Sequence, residues 1–224
     1  MFDRIAGRYD FLNHFLSGGV DVLWRKRMAR ELSVLPHEAI LDLATGTGDQ
    51  LIALKRACPQ MKTGVGVDVS RGMLVRGHEK LIERQLSPDL QMVHGDAMAL
   101  PLCSGTMDAA TISFGIRNVP DVPKALREML RVLKPGGHAL ILECGMPRNA
   151  LIRKGYLLYF RHVLPRLGSL ISGDGYAYHY LNKTVETFPC GPQFVELMQD
   201  AGFQKIRNIP MTFGVAYLYI GQKP

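Results

Sequence analysis

The 224-residue chain is long enough to form one domain with a full hydrophobic core. Hydrophobic residues make up 47% of it and charged residues 21%, which excludes an intrinsically disordered chain, and no apolar run approaches the roughly 20 residues that span a bilayer. The net charge of +7 favours anionic partners, such as nucleic acid, acidic lipid or phosphate-bearing substrates, without choosing among them.

The first part of the chain predicts helices. Residues 2–34 divide into two helical pieces at Ser17-Gly18-Gly19, and the second piece carries the basic cluster Arg25-Lys26-Arg27 with Arg30. Such a cluster is typical of the solvated face of a helix. Charged residues in the starting segment MFDRIAGRYD stand where a signal peptide has its apolar core, so we expect a cytoplasmic protein.

From residue 39 onward, short apolar segments alternate with helical patterns. Strands are predicted at 39–43, 63–69, 90–93, 107–114 and 138–143. Helices are predicted at 49–57, 71–84, 122–133 and 192–200. This alternation indicates parallel strands in a sheet that helices cover on both faces.

The last two strand-like runs, 203–211 and 213–221, are too close together to hold a crossover helix, so they must pair antiparallel. The sequence therefore predicts an α/β fold with a doubly wound, mostly parallel seven-stranded sheet that ends in an antiparallel hairpin. We expect one domain over residues 1–224, with a helical lid at 1–35 and a helical insert at 147–190 over the substrate site.

The segment LDLATGTGDQ at residues 41–50 follows the first strand and opens the next helix. Gly46 and Gly48 leave room for the backbone to approach a ligand at the strand end where open α/β sheets bind ligands. Position 51 is leucine, whereas a dinucleotide-binding loop has a third glycine there. A purely structural turn is the alternative explanation.

Asp68 ends the second predicted strand, about 20 residues after the glycine loop, where an acidic residue is placed to accept both ribose hydroxyls. A helix cap is the usual role of an aspartate at a strand end, but Ser70 already offers a cap to the next helix. We therefore favour a ligand-binding role for Asp68.

Asp96 and Ala97 follow the third predicted strand in the segment His94-Gly95-Asp96-Ala97. The Asp96 carboxylate could accept from an adenine amino group while the Ala97 N–H donates to the ring. An Asx turn explains the same residues equally well.

Together, LDLATGTGD, GVDVS, GDAMALP, MDAATISFG and RVLKPGG resemble the class I S-adenosylmethionine-dependent methyltransferases in order and spacing. FDRIAGRYDFLNHFLSGG, ISFGIRNVPD, RVLKPGGHALILE and GVAYLYIGQKP further resemble the ubiquinone/menaquinone C-methyltransferases over essentially the whole chain. S-adenosylmethionine has no phosphates and needs no third glycine, and as a sulfonium cation it gains nothing from a helix N-terminus.

The resemblance implies S-adenosylmethionine as cofactor and places its contacts at Thr47, Asp68, Asp96, Ala97 and Ser113. Together with the glycine loop and its strand, the cofactor-binding candidates are Asp42, Gly46, Thr47, Gly48, Asp68, Asp96, Ala97 and Ser113.

The implied reaction is methyl transfer to a ring carbon of a reduced polyprenyl quinone, either demethylmenaquinol or the methoxy-benzoquinol precursor of ubiquinone. The ring carbon becomes nucleophilic when a neighbouring hydroxyl loses its proton. Arg117 in FGIRNV is the catalytic candidate, because a guanidinium stays charged and can stabilise the phenolate. Asn118 is the candidate that orients a water or the ring oxygen. A structural pairing of Arg117 with Asp121 is the alternative.

The implied partner is a lipid-soluble quinol, and no nucleic acid is expected. The segment ALIRKGYLLYFRHVL at 150–164 predicts either a core-packing helix or a basic amphipathic surface that contacts anionic membrane on its inner face. Two other functions stay open: methylation of another small metabolite, and S-adenosylmethionine binding without catalysis.

The four cysteines are Cys58, Cys103, Cys144 and Cys190, with no CxxC motif and no histidine at metal-ligand spacing. This pattern indicates buried or incidental thiols in a reducing compartment, and we expect no metal site.

Overall fold

The computed structural model describes residues 19–163 and 184–224. The predicted lid is therefore described from residue 19 onward. The predicted insert is described up to residue 163 and again from residue 184. The remaining parts of these two predictions lie outside the described residues.

The described residues form one seven-stranded sheet in the order β3-β2-β1-β4-β5-β7-β6. Neighbouring strands from β1 to β5 pair parallel, whereas β7 pairs antiparallel with both β5 and β6. The strands are β1 Ala39–Leu43, β2 Thr63–Asp68, β3 Leu90–His94, β4 Met107–Ser113, β5 Leu133–Cys144, β6 Gln204–Met211 and β7 Ala216–Gln222. The predicted fold class, including its C-terminal hairpin, is confirmed.

The helices begin at residues that suit a helix start. Ser70 caps one of them by accepting from the Met73 N–H at 3.3 Å, and Asp121 caps another by accepting from the Lys124 N–H at 2.9 Å. The helices are α1 Val20–Leu32, α2 Asp49–Ala57, α3 Arg71–Glu83, α4 Val122–Val132, α5 Ala150–Leu158 and α6 Pro192–Asp200. A π-helical turn, Tyr159–Val163, follows α5.

Apolar side chains cover the sheet on both faces, because successive side chains of each strand point to opposite sides. Leu41 and Leu43 of β1 belong to one core with residues of α4 and α6. Ile40, the residue before Leu41, points to the opposite face and belongs to the other core with residues of α1 and α2. The helices on both faces leave the carboxyl ends of the parallel strands open at one edge.

β5 begins five residues earlier than the sequence indicates. Leu133 already pairs with Met107, and the ladder shifts register before His138 pairs with Ala109. Lys134 holds this irregular start by an ion pair with Asp108 at 2.6 Å. The segment Lys134-Pro135-Gly136-Gly137, which directly follows the predicted helix 122–133, thus belongs to the first part of the strand.

Several features that bear on localisation and metal binding are visible in residues 19–163 and 184–224. No helix there is long and apolar enough to cross a membrane. No group of three or more His, Cys, Asp or Glu side chains in these ranges is placed to hold a metal ion. The four cysteines are free thiols, of which Cys58 is buried and Cys103 exposed.

Candidate active site

A cavity of about 370 Å³ lies at the carboxyl ends of the parallel strands. The glycine loop after β1, the ends of β2 and β4, and the segment after β3 form its walls. Its lining includes Arg25, Asp42, Ala44, Thr45, Gly46, Thr47, Asp49, Gln50, Asp68, Asp96, Ala97, Met98, Ser113, Phe114 and Asn118. Of the predicted site residues, all but Gly48 and Arg117 line this cavity.

The glycine loop turns sharply between β1 and α2. Gly46 has a φ of 57° and Gly48 a φ of 81°, values in the left-handed region that favours glycine. The Thr45 N–H donates to the Val67 carbonyl at 3.1 Å, which ties the loop to β2. Thr47 accepts from Lys80 at 2.8 Å, so its position is fixed from α3.

Asp68 joins the tip of β2 to the glycine loop. One carboxylate oxygen accepts from the Gly46 N–H at 2.9 Å, and the other accepts from the Ser70 N–H at 2.8 Å. Ser70 caps α3 by itself, as the sequence indicated. The Asp68 carboxylate therefore lines the cavity from a fixed position.

The segment after β3 forms the Asx turn that the sequence offered as one alternative, and it also lies at the cavity. Asp96 Oδ1 accepts from the Met98 N–H at 2.8 Å, which is an Asx turn. Asp96 and Ala97 also line the cavity. The Asx turn is therefore compatible with a position of Asp96 and Ala97 in the cavity wall.

Asp42 lies beneath the glycine loop and is 1% exposed. Its two carboxylate oxygens accept from Thr45 at 2.7 Å and from Thr111 at 2.6 Å. Burial raises the pKa of Asp42 to about 6, against the opposing effect of these hydroxyl donors. The floor of the cavity thus carries a buried carboxyl group whose pKa is raised by desolvation.

The opposite end of the cavity is formed by the end of β4 and by α1. Ser113 lines it and donates to the Met28 sulfur at 3.4 Å. Asn118 lines it from a 3₁₀ turn, Ile116–Asn118. Gly115 lets this segment approach the glycine loop, because a Cβ at that position would lie 2.5 Å from the Ala44 Cβ.

Arg117 lies behind this wall. Its guanidinium donates to Glu143 at 2.6 Å and to the Phe114 carbonyl at 2.7 Å. The side chain of Arg117 is 9% exposed and that of Glu143 is 1% exposed. The carboxylate partner is therefore Glu143 of β5, whereas the sequence suggested Asp121, which instead caps α4.

Arg25 is one of the cavity-lining residues that sequence reasoning missed. Lys26, Arg27 and Arg30 of the same cluster are exposed, as expected for a solvated face, but Arg25 lines the cavity. Its side chain lies over the Phe114 ring at 5.3 Å. The helical spacing of α1 could have indicated its position. Trp24 and Met28 lie on the buried face of the helix, and Arg25 lies at the edge of that face.

The chain is similar to known methyltransferases over nearly its whole length. A profile of the ubiE/COQ5 methyltransferase family matches residues 1–223. The chain belongs to the ubiE/COQ5 methyltransferase family. It is 46% identical to the ubiquinone/menaquinone biosynthesis C-methyltransferase UbiE of Syntrophotalea carbinolica, over 99% of this chain and 92% of that protein. It is 38% identical to a demethylmenaquinone methyltransferase of Bacillus cereus, over 100% of this chain and 94% of that protein.

The family assignment agrees with the fold. A solved S-adenosylmethionine-dependent methyltransferase from Aquifex aeolicus superposes with a TM-score of 0.65 at 16% identity, covering 89% of each chain. At this identity the similarity establishes the fold alone. The family, in contrast, confirms three sequence-based predictions: the resemblance itself, an S-adenosylmethionine-dependent C-methyltransferase activity, and S-adenosylmethionine as the methyl donor.

Proposed function

We propose that this ubiE/COQ5 family member methylates a ring carbon of a reduced polyprenyl quinone in quinone biosynthesis. The observation that carries the proposal is the family match over residues 1–223, together with relatives named for ubiquinone/menaquinone and demethylmenaquinone methylation. The names of these relatives support a lipophilic quinone-type substrate.

The cavity suits the proposed methyl donor. Four carboxylates line it, those of Asp42, Asp49, Asp68 and Asp96, and a sulfonium cation with an ammonium group is stabilised by such surroundings. Asp68 is our candidate for the ribose hydroxyls, and Asp96 with the Ala97 N–H for the adenine. Gly46 and Thr47 are our candidates for the backbone beside the methionine part, with Asp42 beneath the loop and Ser113 at the far end, whereas Gly48 shapes the loop without lining the cavity.

Bound S-adenosylmethionine supplies an electrophilic methyl group. The protein must then hold the acceptor carbon about 3 to 3.5 Å from that group and stabilise the phenolate that makes the carbon nucleophilic. Asn118 lines the cavity on the β4 side and is our candidate for contacting the ring oxygen. Arg117, directly before it in the chain, is our candidate for stabilising the phenolate charge, with Glu143 fixing its position.

The direct test uses the purified protein with demethylmenaquinol and with the methoxy-benzoquinol precursor, each in its reduced and its oxidised form. We expect a product heavier by one methyl group from at least one reduced acceptor, because ring-carbon attack needs an electron-rich ring. Methylation of the oxidised quinone at the same rate would contradict the mechanism. Absence of product from both quinols, with cofactor binding intact, would favour another small acceptor.

We further propose that α5 and the turn after it contact an anionic membrane surface from the cytoplasmic side. Leu151 is 80% exposed and Leu158 63% exposed, and Arg153 and Lys154 beside them are exposed as well. Exposed leucines flanked by basic side chains are the pattern of a helix that lies in a membrane interface. Such contact would bring the cavity close to a substrate that is dissolved in the bilayer.

A further inference from the structure

The charges around the cavity are strongly unbalanced. Among the described residues that line it, four are aspartates and Arg25 is the one lysine or arginine. S-adenosylmethionine carries a sulfonium, an ammonium and a carboxylate. The aspartates complement the two cationic groups but would repel the carboxylate, so a cation in this wall would stabilise the anionic end of the cofactor.

Arg25 is held at the cavity rather than extended into solvent. Its side chain is 16% exposed, and its guanidinium lies 5.3 Å from the centre of the Phe114 ring. Trp24 packs on the same ring at 5.9 Å and donates to Thr212 at 2.9 Å. Phe114 is fixed in turn by its N–H, which donates to the Leu142 carbonyl at 2.7 Å.

The described contacts of Arg25 leave its hydrogen-bonding capacity largely available. Its ion pair with Asp21 is long, at 3.9 Å, and the buried Nε has no hydrogen-bond partner among residues 19–163 and 184–224. A guanidinium offers five N–H donors in a planar fork that matches a carboxylate. Its position also fits, because Ser113 and Phe114 stand at the end of β4, across β1 from Asp68 and Asp96 at the ends of β2 and β3.

We propose that Arg25 binds the carboxylate of the methionine part of S-adenosylmethionine, and so distinguishes this cofactor from adenosyl compounds that lack the carboxylate. The proposal deepens the proposed function, since it rests on the adenosine part occupying the Asp68 and Asp96 end. In this proposal α1, the described part of the predicted lid, supplies one residue to the wall of the cofactor site.

The test compares two ligands that differ only in this group, S-adenosylmethionine and decarboxylated S-adenosylmethionine, by calorimetric titration. Arg25→Ala should weaken binding of S-adenosylmethionine by about 10- to 100-fold, the range for loss of a hydrogen bond between charged groups. Binding of the decarboxylated compound should change by less than about twofold. Arg25→Lys should restore part of the affinity for S-adenosylmethionine, because it keeps the charge but not the fork.

Arg27→Ala is the matched control, because Arg27 lies on the same helix but is exposed and pairs with Glu31 at 2.8 Å. It should leave both affinities unchanged. Equal losses for the two ligands in Arg25→Ala, or no loss for either, would overturn the proposal. If Arg25 instead contacts the acceptor, the KM for the quinol rises while both cofactor affinities stay normal, which also overturns it. Failure of quinol methylation with the ligand difference intact would refute the proposed function alone.

Discussion

Asp68 accepts a hydrogen bond from the Gly46 N–H at 2.9 Å, so the tip of β2 and the glycine loop are joined at the cavity. One carboxylate thus performs two tasks. It fixes the backbone of the loop, and in the proposed function it also binds the ribose hydroxyls of the cofactor. Loss of this carboxylate should therefore weaken cofactor binding in two ways, by loosening the glycine loop and by removing a ligand contact.

Asp68→Ala is therefore expected to weaken S-adenosylmethionine binding by about 1.5 to 3 kcal/mol, the range for a hydrogen bond to a charged group. Calorimetric titration measures the change directly. Asp200→Ala is a suitable control, because Asp200 is exposed at the end of α6 and does not line the cavity. An unchanged affinity in Asp68→Ala would remove Asp68 from the cofactor site.

Asp42 predicts a pH dependence of folding stability. Burial raises its pKa in the folded state to about 6 from an ordinary value near 3.8, so between these values the folded protein binds more protons than the unfolded chain. Its contribution to the free energy of unfolding therefore falls as pH rises from about 4 to 6, by roughly 3 kcal/mol in total.

Asp42→Asn should abolish this contribution, because an amide does not titrate. Denaturant unfolding of both proteins at several pH values between about 4 and 7 gives the comparison. The parent protein should lose stability relative to Asp42→Asn as the pH rises through this range. Parallel stability curves for the two proteins would mean that the Asp42 carboxyl titrates at its ordinary pKa.

The membrane contact of α5 predicts binding that depends on lipid charge. The protein should sediment with vesicles that contain anionic lipid, and less with purely zwitterionic vesicles. Leu151→Ser with Leu158→Ser should reduce that binding, because both side chains are exposed. Leu23→Ser is the control, since Leu23 is also exposed but lies on α1. Equal binding of the double variant and the control would exclude α5 as the contact.

The fold was largely predictable because its signals are local. Alternating strands and helices specify a parallel sheet, and the short link between the last two strands requires an antiparallel pair. The early start of β5 was not predictable. It depends on the pairing of Leu133 with Met107. This contact joins two different strands, and the hydrophobic periodicity of either segment does not reveal it.

The site was predictable where a residue stands at the end of a strand. Asp68 and Asp96 follow this rule, and both line the cavity. Ser113 also lines it, but only the family resemblance predicted that residue. Arg25 and Glu143 were not predicted from the sequence, for different reasons. Arg25 stands among exposed basic residues of α1, and Glu143 lies in an apolar strand. Their roles depend on which helix and strand pack beside the turn that contains Phe114 and Arg117.

The last prediction concerns Arg117, whose buried ion pair with Glu143 adds a structural role to the proposed catalytic one. Arg117→Ala leaves the Glu143 charge buried without this partner, so it should lower stability by about 3 to 5 kcal/mol. If Arg117 also stabilises the phenolate, saturated turnover of the folded enzyme should fall by about 10²- to 10³-fold. Arg127→Ala is the control, because Arg127 is exposed on α4.

The second substitution Glu143→Gln, added to Arg117→Ala, separates the two roles. It removes the unpaired buried charge of Glu143, so the melting temperature should be higher than in Arg117→Ala alone. Turnover should stay low if Arg117 acts on the phenolate, because the missing cation is not replaced. Recovery of near-normal turnover together with stability would show that Arg117 serves only to hold the turn beside the cavity. Measuring the melting temperature and saturated turnover on the same samples decides between these outcomes.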